Sequence, residues 1–252
     1  MARARGGSFV ITRRTLLVGS GASLLAGCDS LTDSPALMSA EDAHRFLQRS
    51  INGRAALARE FRAEQRSPIF RVNGTASPNT PEYNALAANR FADWRLTVDG
   101  LVARPLRFSL AQIQALPQRA QITRHDCVEG WSAIGKWQGP RLETLLQLAG
   151  IRDSARYIVF HCADRFGGTP FYESIDLVDA FHPQTILAWA MNDATLSVGH
   201  GAPVRLRVER QLGYKQAKYV MRVEAVASLA AIGAGKGGYW EDSNGYEWYA
   251  GI

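Results

Sequence analysis

Cysteine is scarce in this 252-residue chain, which has only Cys28, Cys127 and Cys162. None of the three forms a CxxC pair, and the chain contains no HExxH motif, no phosphate-binding loop and no internal repeat. The sequence therefore lacks the usual signatures of a zinc ribbon, a zinc protease, a P-loop nucleotidase and a repeat protein. Its hydrophobic content of 46% is that of an ordinary globular protein.

Acidic residues are absent from the first 27 positions, which also lack an apolar run long enough to span a bilayer comfortably. This segment contains Arg3, Arg5, Arg13 and Arg14, followed by an apolar run at residues 16–27. Residues 12–17, TRRTLL, match the twin-arginine pattern of a bacterial signal for exporting folded proteins. We therefore expect residues 1–27 to be a cleaved export signal, with a general secretion signal as the alternative.

Cys28 ends the sequence LAGC, which resembles a lipobox, a motif whose cysteine is lipidated and becomes the first residue of the mature protein. Asp29 resembles the signal that keeps lipoproteins in the inner membrane. The predicted location is therefore the periplasm, with the protein anchored by lipid to the inner membrane. A soluble exported protein with an accidental cysteine is the alternative.

Charge of one sign is in small excess once the signal is removed. The whole chain has 29 basic and 23 acidic residues, a net charge of +6. Loss of the four arginines of residues 1–27 leaves 25 basic residues against 23 acidic ones, a net charge of +2. So small an excess gives no reason to expect a nucleic-acid partner.

The stretch 124–139, RHDCVEGWSAIGKWQG, places Cys127 among charged residues. Nearby cations favour the thiolate, which is the form of cysteine that binds a soft metal. In an oxidising periplasm, however, Cys127 and Cys162 would pair by default, unless a cofactor inserted before export had already claimed the thiolate. The residues alone leave a disulfide and a metal ligand equally open.

Hydrophobic periodicity divides the rest of the chain into a linker with an N-terminal helix, at residues 28–66, and a core domain at residues 67–252. The helix is predicted to begin at Ser39 and to continue through Leu57 and Phe61. The core domain has predicted strands at 94–99, 121–126, 157–162, 186–191, 203–208 and 218–226, and short helices at 109–116, 140–150 and 176–181.

Strands outnumber helices in this prediction and do not alternate strictly with them. The expected fold class is therefore mixed, strand-rich α+β rather than a doubly wound sheet. The aromatic tail at residues 239–249 is predicted to be a packed strand or a cap on the fold, with an edge for an electron-transfer partner as the alternative.

Two later loops combine glycine with basic side chains. One runs from His200 to Arg205 as HGAPVR, and the other contains Gly213, Tyr214 and Lys215. Glycines let the backbone approach a ligand, and arginine with lysine supplies charge-assisted donors to an anion such as a phosphate. A solvated basic loop is the alternative.

Taken together, these motifs resemble those of the sulfite oxidase superfamily of mononuclear molybdopterin oxidoreductases. The resemblance runs from about residue 68 to about residue 224 and is carried by RVN at 71–73, CVEGWS at 127–132, HGAPVR at 200–205 and GYK at 213–215. Within the superfamily the chain is most similar to the bacterial periplasmic branch that contains the catalytic subunit of protein-methionine-sulfoxide reductase.

The resemblance implies a Mo-molybdopterin cofactor with one molybdenum, whose protein ligand is the Cys127 thiolate. It implies that Glu129 lies close to the metal, as a proton carrier or as a structural acid. The implied cofactor contacts are Asn73, Cys162, His200, Arg205, Gly213, Tyr214 and Lys215. Two of these depart from the branch, since His200 stands where methionine-sulfoxide reductases have asparagine and Cys162 where threonine is usual.

Sulfite-oxidising relatives follow the ligand cysteine with Ala-Gly-Asn-Arg, whereas this chain has Val-Glu-Gly-Trp. The resemblance therefore implies reduction of an S-oxide or N-oxide, either small or protein-bound, rather than oxidation of sulfite. Because the chain contains no CxxCH heme motif, electrons are expected from a membrane donor, such as a heme-bearing subunit. The long C-terminal dimerisation domain of sulfite oxidases is lacking, so a monomer is expected.

Two other functions remain open at this stage. One is a dehydrogenase that oxidises sulfite or another sulfur compound. The other, of a different class, is a non-catalytic lipoprotein in which Cys127 and Cys162 form a disulfide.

Overall fold

The computed structural model describes residues 53–252, of which residues 54–252 form one compact unit. The export signal, Cys28 and the predicted helix start at Ser39 lie outside the described residues. Within them, the predicted helix is wrong at Leu57 and Phe61, which lie in non-helical backbone. Glu60 instead forms a bridge to Thr123, so contacts with the folded body override the local helical pattern.

The described part of the chain has five short α-helices: α1 (Pro81–Ala88), α2 (Leu110–Ala115), α3 (Leu142–Ala149), α4 (Leu177–Ala180) and α5 (Tyr239–Asn244). Three of them begin at a side-chain cap, because Thr80, Ser109 and Asp176 each accept a backbone N–H of the first turn. None of the helices in this part of the chain is long and apolar enough to cross a membrane.

Residues 53–252 also contain eleven strands. They are β1 (Arg95–Gly100), β2 (Leu106–Ser109), β3 (Gln118–Asp126), β4 (Ser132–Pro140), β5 (Tyr157–Phe166), β6 (Thr169–Asp176), β7 (Ile186–Ala188), β8 (Ala190–Met191), β9 (Ala194–Thr195), β10 (Arg205–Arg207) and β11 (Val220–Val226). The predicted mixed, strand-rich α+β class is confirmed.

The largest sheet has the strand order β2-β1-β11-β5-β6. Only β1 and β11 pair in parallel, and the other neighbours are antiparallel. Alternate residues such as Leu96, Val98 and Phe160 are completely buried, as expected for strands with one face on the core. The helix α3 covers the core with Leu142, Leu145 and Leu146, also completely buried.

A second sheet, in the order β3-β4-β8-β9, carries the Cys127 motif. The strands β3 and β4 form a long hairpin that is in register from the pair Gln118–Pro140 to the pair Asp126–Ser132. A five-residue loop, residues 127–131, closes it. Beside this sheet lies a two-stranded ladder of β7 and β10.

Several elements of the core domain differ from the sequence prediction. The strands β2, β4, β6 and β9 were not anticipated. In β4 the buried residues include two glycines with Ala133 and Trp137, so the strand shows little apolar alternation. The tail is not a strand, because Tyr239–Asn244 forms the helix α5. Its packing agrees with the predicted cap, since the Tyr239 and Trp240 rings lie against Phe166.

Candidate functional site

Cys127 is the first residue of the loop that closes the β3–β4 hairpin. Its N–H donates to the Trp131 carbonyl over 2.9 Å, and its carbonyl accepts the Gly130 N–H over 3.0 Å. Only 9% of the residue is exposed. Burial raises the pKa of the Cys127 thiol, while the nearby Arg205 charge acts in the opposite direction. The hairpin thus holds the sulfur at a fixed point beside a cation.

Glu129 joins the hairpin loop to the loop that contains Asn73. Its Oε1 accepts the Gly74 N–H over 3.3 Å, and its Oε2 accepts the Trp131 indole N–H over 3.0 Å. The Trp131 ring in turn packs edge-on against Phe70, with centroids 5.9 Å apart. The exposed carboxylate therefore lies at the point where the two predicted motifs meet.

A small cleft, partly open to solvent, adjoins this junction. Its polar lining includes Asn73, Thr75, Asp164, Tyr214, Gln216 and Lys218. The Lys218 ammonium donates to the carbonyls of Thr75 and of Gly199, the second over 2.9 Å. Burial, followed by the charge of Arg205, lowers the pKa of Lys218 to about 7. The cleft therefore presents a desolvated amine next to hydrogen-bonding groups of both kinds.

Arg205 and His200 lie close together. Arg205 is completely buried and donates to the carbonyls of His200 and Gln216 over 3.1 and 3.3 Å. Its guanidinium lies 5.0 Å from the centroid of the Trp137 ring. Burial, then repulsion from Arg207, lowers the pKa of Arg205 to about 9. A buried arginine of this kind is well suited to an anionic ligand.

His200 is half-buried, and both of its ring nitrogens have partners. Its Nδ1 is 2.8 Å from the Ser197 hydroxyl, and its Nε2 is 3.1 Å from the Phe70 carbonyl. Burial lowers the pKa of His200, which favours the neutral ring. The imidazole thus holds the loop before Asn73 through the Phe70 carbonyl. Its predicted contact with a cofactor stays a prediction.

The residues Gly213, Tyr214 and Lys215 do not share one environment. Gly213 and Tyr214 line the cleft, and the Tyr214 hydroxyl donates to the Glu247 carbonyl over 2.5 Å. Lys215 is completely buried, and its ammonium is bound by the carboxylates of Glu173 and Glu241. Its predicted role as a phosphate contact therefore has no support from this geometry, because its charge is already matched by two acids.

Cys162 lies near the end of β5, two residues before Asp164, and packs against the hydrophobic core. Burial raises the pKa of its thiol well above the usual range. Both Cys127 and Cys162 are free thiols in the structure, so the alternative that joins them in a disulfide is not supported.

Several buried polar atoms around the cleft and Cys127 have no hydrogen-bond partner in the described part of the chain. They are Asn73 Oδ1, His125 Nε2, Asp164 Oδ1, Arg205 Nε and Gln216 Oε1. Each buried polar atom left unsatisfied costs about 1–3 kcal/mol, so a cluster of them indicates a polar ligand or ordered water. The mixture of donors and acceptors fits a pterin, whose ring edge carries both, and the nearby cations fit its phosphate.

Four polar residues of the cleft were missed as site residues: Thr75, Asp164, Gln216 and Lys218. For Lys218 a signal existed, because it continues the basic run after Gly213 and Lys215. For Asp164 and Gln216 the sequence offers none, since only the packing of β5 against the chain after β10 brings them together.

Comparison with known proteins places this geometry in context. Residues 83–230 match the family described as "Oxidoreductase molybdopterin binding domain". A protein of Azospira oryzae, provisionally named protein-methionine-sulfoxide reductase subunit YedZ1, is 38% identical over 245 residues, which cover 95% of this chain and 86% of that protein. The protein-methionine-sulfoxide reductase catalytic subunit MsrP of Campylobacter jejuni is 30% identical over 144 residues, which cover 52% of this chain and 48% of that protein.

A solved structure shares the fold. The crystal structure of the sulfane dehydrogenase SoxCD from Paracoccus pantotrophus superposes with a TM-score of 0.50 at 22% identity. The match covers 54% of this chain and 39% of that chain. At this identity the likeness shows the fold alone.

Proposed function

Because this chain belongs to the family of oxidoreductase molybdopterin-binding domains, we propose that it is a periplasmic enzyme that uses Mo-molybdopterin to reduce an S-oxide such as methionine sulfoxide. The observation that carries the proposal is the junction of Cys127, Glu129 and the Asn73 loop at the mouth of a cleft with unsatisfied polar atoms. When bound, the cofactor supplies the exchange of two electrons.

Cys127 would hold the molybdenum, and the cleft beside it would hold the pterin. Thiolate is a suitable ligand for a metal of this kind, and the second layer of groups tunes such a site. Arg205 and Lys218 are the two desolvated cations nearest the cleft, so we assign to them the anionic part of the cofactor. Asn73 and Gln216 offer amide groups to the pterin edge, each with its oxygen unsatisfied.

Glu129 is the group placed to handle protons. Reduction of a sulfoxide to a sulfide takes up two electrons and two protons and releases water, so an acid near the site is required. The Glu129 carboxylate is exposed and fixed by the Gly74 and Trp131 N–H groups, next to Cys127 in the same loop. The same two hydrogen bonds also fit the structural alternative, in which Glu129 only fastens the two loops together.

A neutral oxide fits the mouth of the site better than sulfite does. The loop after Cys127 contains no arginine, and the candidate nearest in sequence, Arg124, pairs with Asp126 over 2.9 Å. Its side chain is 56% exposed, so it faces solvent rather than a closed anion pocket. The Trp131 ring supplies an apolar wall instead. These features favour a polar, uncharged substrate, free or within a protein.

Electrons would come from a membrane partner, for which a heme-bearing subunit is the proposed form. Two relatives are named as subunits, which supports an assembly of this kind. Export by the twin-arginine route, the lipid anchor at Cys28 and a monomeric catalytic chain belong to the same proposal.

The first test separates a metal ligand from a structural thiol. We expect Cys127→Ser to keep the fold and to lose most of the molybdenum or the activity, because a serine hydroxyl is a poor replacement for thiolate. Cys162→Ser is the matched control, in a thiol that packs on the core, and should keep the metal. The measurements are molybdenum per chain by elemental analysis and the thermal midpoint. A Cys127–Cys162 disulfide in protein isolated from the periplasm would contradict the proposal.

The second test concerns Glu129. With a reduced artificial donor, we expect the loaded enzyme to reduce methionine sulfoxide and to turn over sulfite poorly. Glu129→Gln should lower kcat about 100-fold, in the range of a general acid, with a smaller change in KM. If Glu129 only holds the two loops together, Glu129→Gln should change kcat little, and its main effect should be a lower thermal midpoint. Rapid sulfite oxidation without any oxide reduction would favour the sulfur-compound dehydrogenase.

A further inference from the structure

The inner face of β3 is polar. Gln121, Thr123 and His125 alternate along this strand and are each at most 1% exposed. The buried face of an antiparallel strand usually carries apolar side chains, so a polar one requires partners. The strand β3 ends at Asp126, directly before Cys127, so these polar side chains lie on the strand that carries the proposed metal ligand.

A chain of buried hydrogen bonds ends at His125. The Gln121 amide donates to Glu209 Oε1 over 2.7 Å. Glu209 also binds Arg207 with both oxygens, over 3.0 and 2.5 Å. Arg207 Nη1 then donates to His125 Nδ1 over 3.0 Å. Arginine can only donate, so Nδ1 must accept and the ring proton must lie on Nε2.

The packing around the imidazole also fixes its position. Gly213 leaves no free space next to the ring, since a Cβ on this glycine would lie 2.6 Å from His125 Nε2. The Nε2–H is therefore a buried donor with a defined direction.

This donor points toward Gln216 in the cleft. Besides Arg207, Gln216 is the side chain that interacts with the imidazole by hydrogen bonding, but neither His125 Nε2 nor Gln216 Oε1 has a hydrogen bond of standard geometry. The other end of the amide is fixed, because Gln216 Nε2 donates to the Gln211 carbonyl over 3.1 Å.

We propose that His125 is a positioning residue of the cofactor site, which uses its Nε2–H to orient the Gln216 amide where that amide lines the cleft. The role rests on the proposed function, because the cleft must hold molybdopterin for the orientation of Gln216 to matter. Arg207 and Glu209 act indirectly. Glu209 holds the Arg207 guanidinium, and the hydrogen bond from Arg207 sets the tautomer of His125.

Two replacements of His125 separate its two nitrogens. His125→Asn keeps an acceptor for Arg207 near the Nδ1 position and removes the donor at Nε2. His125→Gln is the matched control, since its amide N–H₂ reaches the Nε2 position. We expect His125→Asn to release molybdopterin about tenfold faster during dialysis, in the range found for groups that orient metal-site ligands. His125→Gln should stay within about twofold of the wild type.

The readouts are pterin fluorescence and molybdenum per chain over time, with the electron paramagnetic resonance spectrum of the partly reduced protein. A merely structural role would lower the thermal midpoint in both variants and leave the spectrum unchanged. Equal cofactor release and equal spectra in His125→Asn and the wild type would overturn the proposal.

Gly213→Ala provides a second test if His125→Asn does not fold. It displaces the imidazole without removing any hydrogen-bonding atom, and we expect it to speed cofactor release as well. Wild-type rates in Gly213→Ala would overturn the positioning role. A wild-type protein that contains neither molybdenum nor pterin would instead overturn the proposed function, and this role with it.

Discussion

At the scale of single residues, some buried ions in the described part of the chain are matched by their own neighbours rather than by the cleft. Lys215 is the clearest case, because its ammonium is shared by Glu173 and Glu241 and all three side chains are at most 1% exposed. Burial raises the pKa of Glu173 well above its usual range, while attraction to Lys215 opposes the shift. One lysine thus keeps two buried acids in the fold.

Lys215→Met should therefore destabilise the protein by about 3–5 kcal/mol near pH 7.5, since it leaves buried carboxylates without a counter-ion. Without Lys215 the pKa of Glu173 rises further, and a carboxyl whose pKa is higher in the folded state favours folding as pH falls. We therefore expect the variant to regain part of its stability at pH 5. Urea denaturation at the two pH values measures this.

Lys136→Met is the control for this prediction. Lys136 pairs with Asp193 at the surface, and such pairs contribute about 0–1 kcal/mol. If Lys215→Met instead kept its stability and lost only the cofactor, Lys215 would be the phosphate contact that the sequence suggested.

At the scale of elements, the β3–β4 hairpin depends on its packing against the β7–β10 ladder. Gly139, near the end of β4, has no room for a side chain, because a Cβ there would lie 2.0 Å from the Leu187 carbonyl oxygen. On the same strand Trp137 is completely buried, with the Arg207 guanidinium 4.2 Å from its ring centroid. The end of the hairpin that lies away from Cys127 is thereby fixed against the ladder.

Gly139→Ala should cost about 2–3 kcal/mol of the free energy of unfolding, because the obstructing atom belongs to backbone and the strands must separate. Ser132→Ala, at the exposed start of the same strand, is the control and should change stability by less than about 1 kcal/mol. The measurement is chemical denaturation of the cofactor-free protein. A neutral Gly139→Ala would show that β7 shifts freely relative to the hairpin.

At the scale of the whole molecule, the start of the compact unit is tied to the body by buried polar contacts. Gln184 binds the backbone of Ala58 through both ends of its amide, over 2.7 and 2.9 Å. His182 Nε2 lies 3.2 Å from the Ala56 carbonyl, and its Nδ1 accepts the Gln184 N–H over 3.2 Å. His182 must therefore be neutral with its proton on Nε2.

The expected consequence is a loss of stability in acid. Burial lowers the pKa of His182 below the usual value for histidine, about 6.5, so the unfolded chain takes up the proton first. Its contribution is present above about pH 6.5 and is lost as pH falls toward the folded-state pKa. The urea midpoint should fall between pH 7.5 and 5.5, and less so in His182→Gln, which keeps a donor to Ala56.

His161→Gln is the control for the acid prediction. His161 is about one-third exposed and pairs with Glu224 on an open sheet face, so its removal should leave the fall in stability in place. An identical fall in wild type and His182→Gln would assign the acid sensitivity to other groups.

The sequence by itself determined the family and the fold class, and the site residues in its motifs stay predictions. Cap residues such as Ser109 and the alternation in β1 act through neighbouring residues, so they do not depend on distant contacts. The tertiary structure alone decided which basic groups face the cleft. Lys215 and Lys218 are lysines three positions apart, yet one is bound by Glu173 and Glu241 and the other lines the cleft. Folding also decided the partner of His125 on the inner face of β3. The Nδ1 atom of His125 accepts a hydrogen bond from Arg207, which is 82 residues away in the sequence. The pairing of these side chains depends on which partner comes within hydrogen-bond distance after folding. The sequence around each residue does not determine that distance.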